Sequence, residues 1–154
     1  MRKSILLAAL VVVACSKEET PATDTAVAAP PPAAPAALTA ADLAGTWTGT
    51  STATPPDTGT TRFTVVTVND STGKFIAADA KDSVTYSVRL DADSMIATSV
   101  PYTDPTLPKG SPKVMFKAVG RLRDGKLAGT STLMVAAKPD SVLGRATWEA
   151  TRAP

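Results

Sequence analysis

Hydrophobic and polar residues fall into three successive patterns along the chain. The first is an unbroken apolar run from Ile5 to Ala14, behind Arg2-Lys3 and ahead of Cys15. The second, Thr20 to Ala41, holds five prolines and ten alanines and few large apolar groups. The third begins at Asp42, is rich in Thr and Val, and alternates apolar with polar positions. Alternation is the period of a half-buried strand, and no stretch of the third region carries the 3.6-residue period of an amphipathic helix.

Eight strands are predicted in that region. The first is Gly45–Ala53, ended by Pro55-Pro56-Asp57. The second, Thr61–Val68, turns through Asn69-Asp70-Ser71-Thr72-Gly73 into a short third, Lys74–Ala78. The fourth, Val84–Leu90, puts Val84, Tyr86, Val88 and Leu90 on one face and Thr85, Ser87 and Arg89 on the other. Asp91-Ala92-Asp93 turns into the fifth, Ser94–Val100, and a loop with Pro101, Pro105, Pro108 and Pro112 follows. The sixth strand is Lys113–Arg123, and Asp124-Gly125 is a two-residue hairpin signal leading to the seventh, Lys126–Ala136. The eighth is Ser141–Arg152. Short connections favour an antiparallel meander. The fold expected for residues 42–154 is therefore all-β, an eight-stranded antiparallel up-and-down barrel whose closure removes the edges, with a two-sheet sandwich as the alternative. Trp47 and Trp148 lie on the terminal strands, neighbours in a closed meander, where they are placed to plug one end.

The N-terminal pattern has a positively charged start, an apolar run and a small residue before a cut, which is the plan of a secretory signal. The run is too short to span a membrane as a helix. Val12-Val13-Ala14-Cys15 resembles the lipobox of bacterial lipoprotein precursors. That resemblance implies a signal peptide over residues 1–14, diacylglyceryl attachment to the Cys15 thiol, and acylation of the new N-terminus by a fatty chain such as palmitate. The membrane then becomes a partner through a lipid anchor. In a Gram-negative host, Ser16 after the cysteine resembles the outer-membrane sorting pattern, so the expected address is the outer membrane, facing the periplasm. The alternative is an ordinary secretory signal with Cys15 merely following the cut. Residues 15–41 are expected to be the lipidated cysteine and a tether. Pro30-Pro31-Pro32 and Pro35 favour polyproline II, and so little apolar surface cannot offset the entropy of ordering.

Composition narrows the chemistry. The chain of 154 residues contains no histidine and one cysteine, with 19% charged and 5% aromatic residues. Without His there is no Ser-His-Asp or Cys-His site, no His-ligated metal and no His general base. Loss of Arg2 and Lys3 takes the formal charge from +2 to 0, giving no case for nucleic acid as a partner. Asp57, Asp70, Asp91, Asp93, Asp124 and Asp140 fall where Asp favours turns. Neither Asp91-x-Asp93 nor Asn69-Asp70-Ser71 has the ligand count of a calcium loop, and no Ser-x-x-Lys motif places both residues on one helix. No catalytic residue, metal or cofactor is therefore assigned, and the expected activity is binding, not catalysis.

Gly45-Thr46-Trp47 resembles the Gly-x-Trp that opens the first strand of lipocalins and intracellular lipid-binding barrels. In lipocalins an arginine of the last strand packs across that tryptophan, a place for which Arg145 or Arg152 is available. The lipocalin Thr-Asp-Tyr loop motif, disulfide and C-terminal helix are missing. The domain also resembles a recurrent type of small bacterial lipoprotein domain that brings no activity with it. That likeness rests on Pro101, Tyr102, Lys109 and Gly110, on Gly125-Lys126-Leu127-Ala128-Gly129-Thr130, and on Thr151-Arg152-Ala153-Pro154. What the lipocalin resemblance implies is a small apolar ligand inside the barrel, with Trp47, Phe63, Tyr86, Phe116 and Trp148 lining or closing the interior. Gly49, Ser51, Gly120, Gly129, Ser131, Gly144 and Ala146 leave space or allow tight coiling. The alternative is an envelope module touching a protein or polysaccharide. Its contacts would be Tyr102, Asp104 and Lys109 in the 101–112 loop, or the basic stripe of strand six, where Lys113, Lys117, Arg121 and Arg123 share one parity with Met115 and Val119.

Overall fold

A computed structural model describes residues 37–154. The expected signal peptide 1–14, Cys15 and the expected tether up to residue 36 lie outside the described residues. A short helix α1 (Ala40–Leu43) precedes eight strands: β1 (Thr46–Ala53), β2 (Thr60–Asn69), β3 (Thr72–Ala77), β4 (Val84–Asp91), β5 (Ser94–Ser99), β6 (Val114–Arg123), β7 (Lys126–Val135) and β8 (Lys138–Arg152). Each pairs antiparallel with the next, and β1 also pairs with β8, so the sheet closes into a barrel with no free edge. The expected strands are all present in order, and closure between Trp47 and Arg152 excludes the sandwich.

Turn chemistry fixes the register. Asp124 and Gly125 take φ values of 50° and 76°, the positive pair a two-residue hairpin of matching twist requires. At the β2–β3 turn, Asn69 Oδ1 accepts from Ser71 N and Oγ. The largest boundary difference is at β8, which starts at Lys138 where Ser141 was expected. Register shifts around Leu133, Met134 and Val135 lengthen the β7–β8 hairpin beyond its regular pattern.

Alternation sends the apolar set inward. Tyr86 is buried and Val84, Val88 and Leu90 half-buried, whereas Arg89 points out, as its parity requires. Lys117, Arg121 and Arg123 are likewise exposed on the outer face of β6. Two glycines set how tightly the sheet can coil. A Cβ on Gly49 would lie 2.1 Å from the Glu149 carbonyl oxygen, and one on Gly129 would lie 1.9 Å from that of Val119.

Two expectations change. Leu38 falls within the sequence predicted as tether, yet it is buried in the core cluster, with its N–H bonded to the Ala92 carbonyl at 3.0 Å. An isolated leucine among alanines and prolines is too little pattern to reveal such docking. Trp47 and Trp148 also do not plug one end together. Trp47 pairs with Arg152 beside α1, while Trp148 lies four residues earlier on β8, opposite Ser51 and Gly129.

Candidate functional site

The two ends of the barrel interior differ in kind. At the end covered by α1, polar groups are paired. Thr39 and Asp42 form a reciprocal capping box at the helix start, and the hydrogen bonds from Thr39 hold the Asp42 carboxyl below its ordinary pKa. At the helix end the Leu43 carbonyl accepts from the Trp47 indole N–H at 3.1 Å and from Thr67 Oγ1 at 2.6 Å. Arg152 donates to the Asp42 carbonyl at 2.8 Å and to the Ala44 carbonyl. Its guanidinium lies 4.7 Å above the centre of the Trp47 ring. A cation at a helix C-terminus satisfies carbonyls that have no partner within the helix and meets the negative end of its dipole. Of the two arginines named from the sequence, Arg152 takes this place.

Trp47 is 2% exposed with its N–H committed, so it belongs to the cap and stands apart from the other candidate ligand residues. Those others are brought together. Six of the chain's seven aromatic side chains form a continuous series of ring contacts. Phe63 meets Phe75 at 5.4 Å and the edge of Trp148 at 6.5 Å. Phe116 meets Phe75 at 5.5 Å, Tyr86 at 6.3 Å and Tyr102 at 6.4 Å. Centroid separations of this order are those of favourable aromatic pairs. Phe75 is the member the sequence reading missed. Its parity with Gly73 places it inward, a signal present but short, because β3 is only 6 residues long.

One of the small residues expected to leave space, Gly120, is taken up by these rings, and so is Gly73, which was not among them. The position a Cβ would occupy on Gly120 is 2.4 Å from Trp148 Cη2, and on Gly73 it is 2.3 Å from the Tyr86 hydroxyl. Burial pushes the Tyr86 phenol up to about 12, and burial together with the Asp104 carboxylate pushes the Tyr102 phenol up to about 12. Both phenols stay protonated at neutral pH. The indole N–H of Trp148 is buried with no hydrogen-bond partner among the described residues. Phe63 and Tyr86 are buried, whereas Phe75, Phe116 and Trp148 are half-buried.

The 101–112 loop divides its candidate contacts. Tyr102 exchanges two backbone hydrogen bonds of 2.9 Å with Val114, and its ring turns onto Phe116. It is therefore part of the aromatic series and not of a surface group with Lys109. Asp104 Oδ1 accepts from Thr106 N at 2.9 Å and Oγ1 at 2.7 Å, the turn role Asp commonly plays. Lys109 is exposed on the rim of a shallow hollow of about 360 Å³ that the loop forms on itself. Among the described residues, no three of His, Cys, Asp and Glu gather as a metal site would. What the interior offers is π-stacking area and one unpaired donor.

No protein-family model matches the chain, and no curated protein matches it. Among solved structures it is similar to that of EF1p2_mFAP2b bound to DFHBI, with a TM-score of 0.53 and 14% identity, over 75% of this chain and 97% of that one. At that identity the likeness is one of fold.

Proposed function

We propose that this is a lipid-anchored protein of the cell envelope, lipocalin-like, that binds a small apolar ligand among the aromatic rings and acts by binding without catalysis. One observation carries the reading: six contiguous rings pack against one another in the barrel, one of them Trp148, whose desolvated N–H has no partner among the described residues. A buried donor without an acceptor costs about 1–3 kcal/mol, which a ligand oxygen or nitrogen would recover. The favoured ligand is accordingly flat and largely apolar, with a single acceptor. A barrel of similar fold holds the small molecule DFHBI, which supports this use of the architecture. The anchor rests on Val12-Val13-Ala14-Cys15 and the placement of the single cysteine.

The test is native mass spectrometry of the full-length protein taken from its own membranes in mild detergent. A stoichiometric adduct beyond the acyl mass, lost on denaturation, is expected in the wild type and diminished in Phe116→Ala/Trp148→Ala. No adduct, or equal occupancy in the double variant, would overturn the reading.

A further inference from the structure

Charge is distributed unevenly around the barrel. Residues 113–152, which make up β6–β8, contain eight Lys and Arg against three Asp and Glu, whereas residues 37–112 contain five against eight. The pairing register resolves the outer face of these three strands into rows. Nearest the 101–112 loop, Met115, the buried Met134 and Val142 stand side by side, and the next row is Lys117, Thr132 and Arg145. Val119, Thr130 and Thr147 follow, then Arg121, Ala128 and Glu149, then Arg123, Lys126 and Thr151.

The rows are not equivalent. Asp93 takes both Arg121, at 3.3 Å, and Arg123, at 2.8 Å, so the cations near the capped end are partly neutralised. Those are the ion pairs among the described residues, and Lys113, Lys117, Lys138 and Arg145 enter none. The same wall carries three of the five exposed large hydrophobic side chains: Val119 at 39%, Val142 at 40% and Leu143 at 43% exposure. Unpaired cations around exposed aliphatic groups suit a surface that is anionic outside and apolar just beneath. A polyanion would use the cations and leave the aliphatic groups wet, while a bilayer of anionic lipid uses both.

We infer that the outer wall of β6–β8, at its 101–112 end, docks on an anionic lipid surface. Lys113, Lys117, Lys138 and Arg145 would meet headgroups, and Val142 and Leu143 would enter the interface. This sets the β6–β8 side of the barrel against the bilayer. It goes beyond the small-ligand reading and stands or falls separately from it.

The test uses the full chain with Cys15→Ala, which cannot be acylated there. It is mixed with vesicles of phosphatidylcholine alone or with about 30% phosphatidylglycerol, and cosedimentation is measured at low and physiological salt. The leader is common to all variants, so differences among them report the wall. The chain is expected to favour anionic vesicles, more so at low salt. One basic contact is worth about fivefold, so Lys117→Glu/Arg145→Glu should lower partitioning at least about 25-fold. Val142→Ser/Leu143→Ser should lower it about fivefold. Lys74→Glu/Lys81→Glu makes the same charge change on other parts of the barrel and should have little effect. Equal binding to both vesicles would overturn the inference, as would an equal loss from the Lys74/Lys81 variant. Competition by dextran sulfate with no effect of Val142→Ser/Leu143→Ser would assign the wall to a polyanion instead. Thermal unfolding verifies each fold, with Lys117→Gln/Arg145→Gln as the substitute should the reversal variant fail. Adduct occupancy by mass spectrometry reports the interior independently.

Discussion

Trp47 and Trp148 are the same residue type in adjacent strands of one sheet, and their surroundings are opposite. Trp47 is enclosed, its ring under a guanidinium and its N–H on the Leu43 carbonyl. Trp148 has a ring neighbour, a glycine against its far edge and an N–H with no partner among the described residues. At the capped end hydrogen bonding and packing reinforce each other. At the other end apolar area is assembled without completing the polar pairing. Packing and pairing therefore coincide at one end, and a buried donor is left without a partner among the described residues at the other.

The contrast can be broken most decisively by truncation. Trp47→Ala should cost about 4 kcal/mol in chemical denaturation, and Trp148→Ala about 2 kcal/mol, because only the former empties a sealed site. Equal losses would mean the two ends are alike. Arg152→Ala should cost about 2 kcal/mol through its carbonyl bonds and its stacking on Trp47, with Arg152→Lys recovering less than half, since an ammonium lacks the planar fork. A full rescue by lysine would reduce Arg152 to a point charge. Subtler still is Phe for Trp: about 1–2 kcal/mol at position 47, where a made bond is lost, and under about 1 kcal/mol at 148.

Two smaller measurements sharpen the picture. Tyr86 and Tyr102 are the chain's only tyrosines, so phenolate absorbance reports both. Their folded-state values of about 12 lie above the unfolded value near 10. Burial stability is therefore intact below pH 10 and lost as pH rises from there through about 12. A midpoint near 10 in the folded protein would show the rings to be wet. Smallest is Ala92→Gly: Ala92 has φ 53° at the β4–β5 turn, and glycine should add about 0.5 kcal/mol after its own unfolded-chain entropy is counted.

Most of the barrel was legible because its information is local. Asp124-Gly125, the Pro55-Pro56 break and the alternation at 84–90 each fix a strand or a turn within a few residues. Arg152 over Trp47 was reachable only as one of two arginines, because which one arrives depends on the β1–β8 register. The grouping of the rings was harder. Tyr102 meets the series at one ring, Phe116, and reaches it through a bridge to Val114, which no local pattern encodes. Leu38 and α1 were hidden because alanine and proline dominate their neighbourhood. The partial neutralisation of the strand-six stripe was equally out of reach, since Asp93 belongs to another turn.

Arg152 also sets how the domain carries mechanical load. A pull on the chain ahead of residue 37 reaches the barrel through the Leu38–Ala92 hydrogen bond and α1. Carbonyls of α1 and its C-cap are gripped by Arg152 of β8, Trp47 of β1 and Thr67 of β2, while Ala153 N holds the Thr46 carbonyl. Tension therefore spreads over several strands at once and does not unzip β1 bond by bond. Under force, Arg152 works as a rivet.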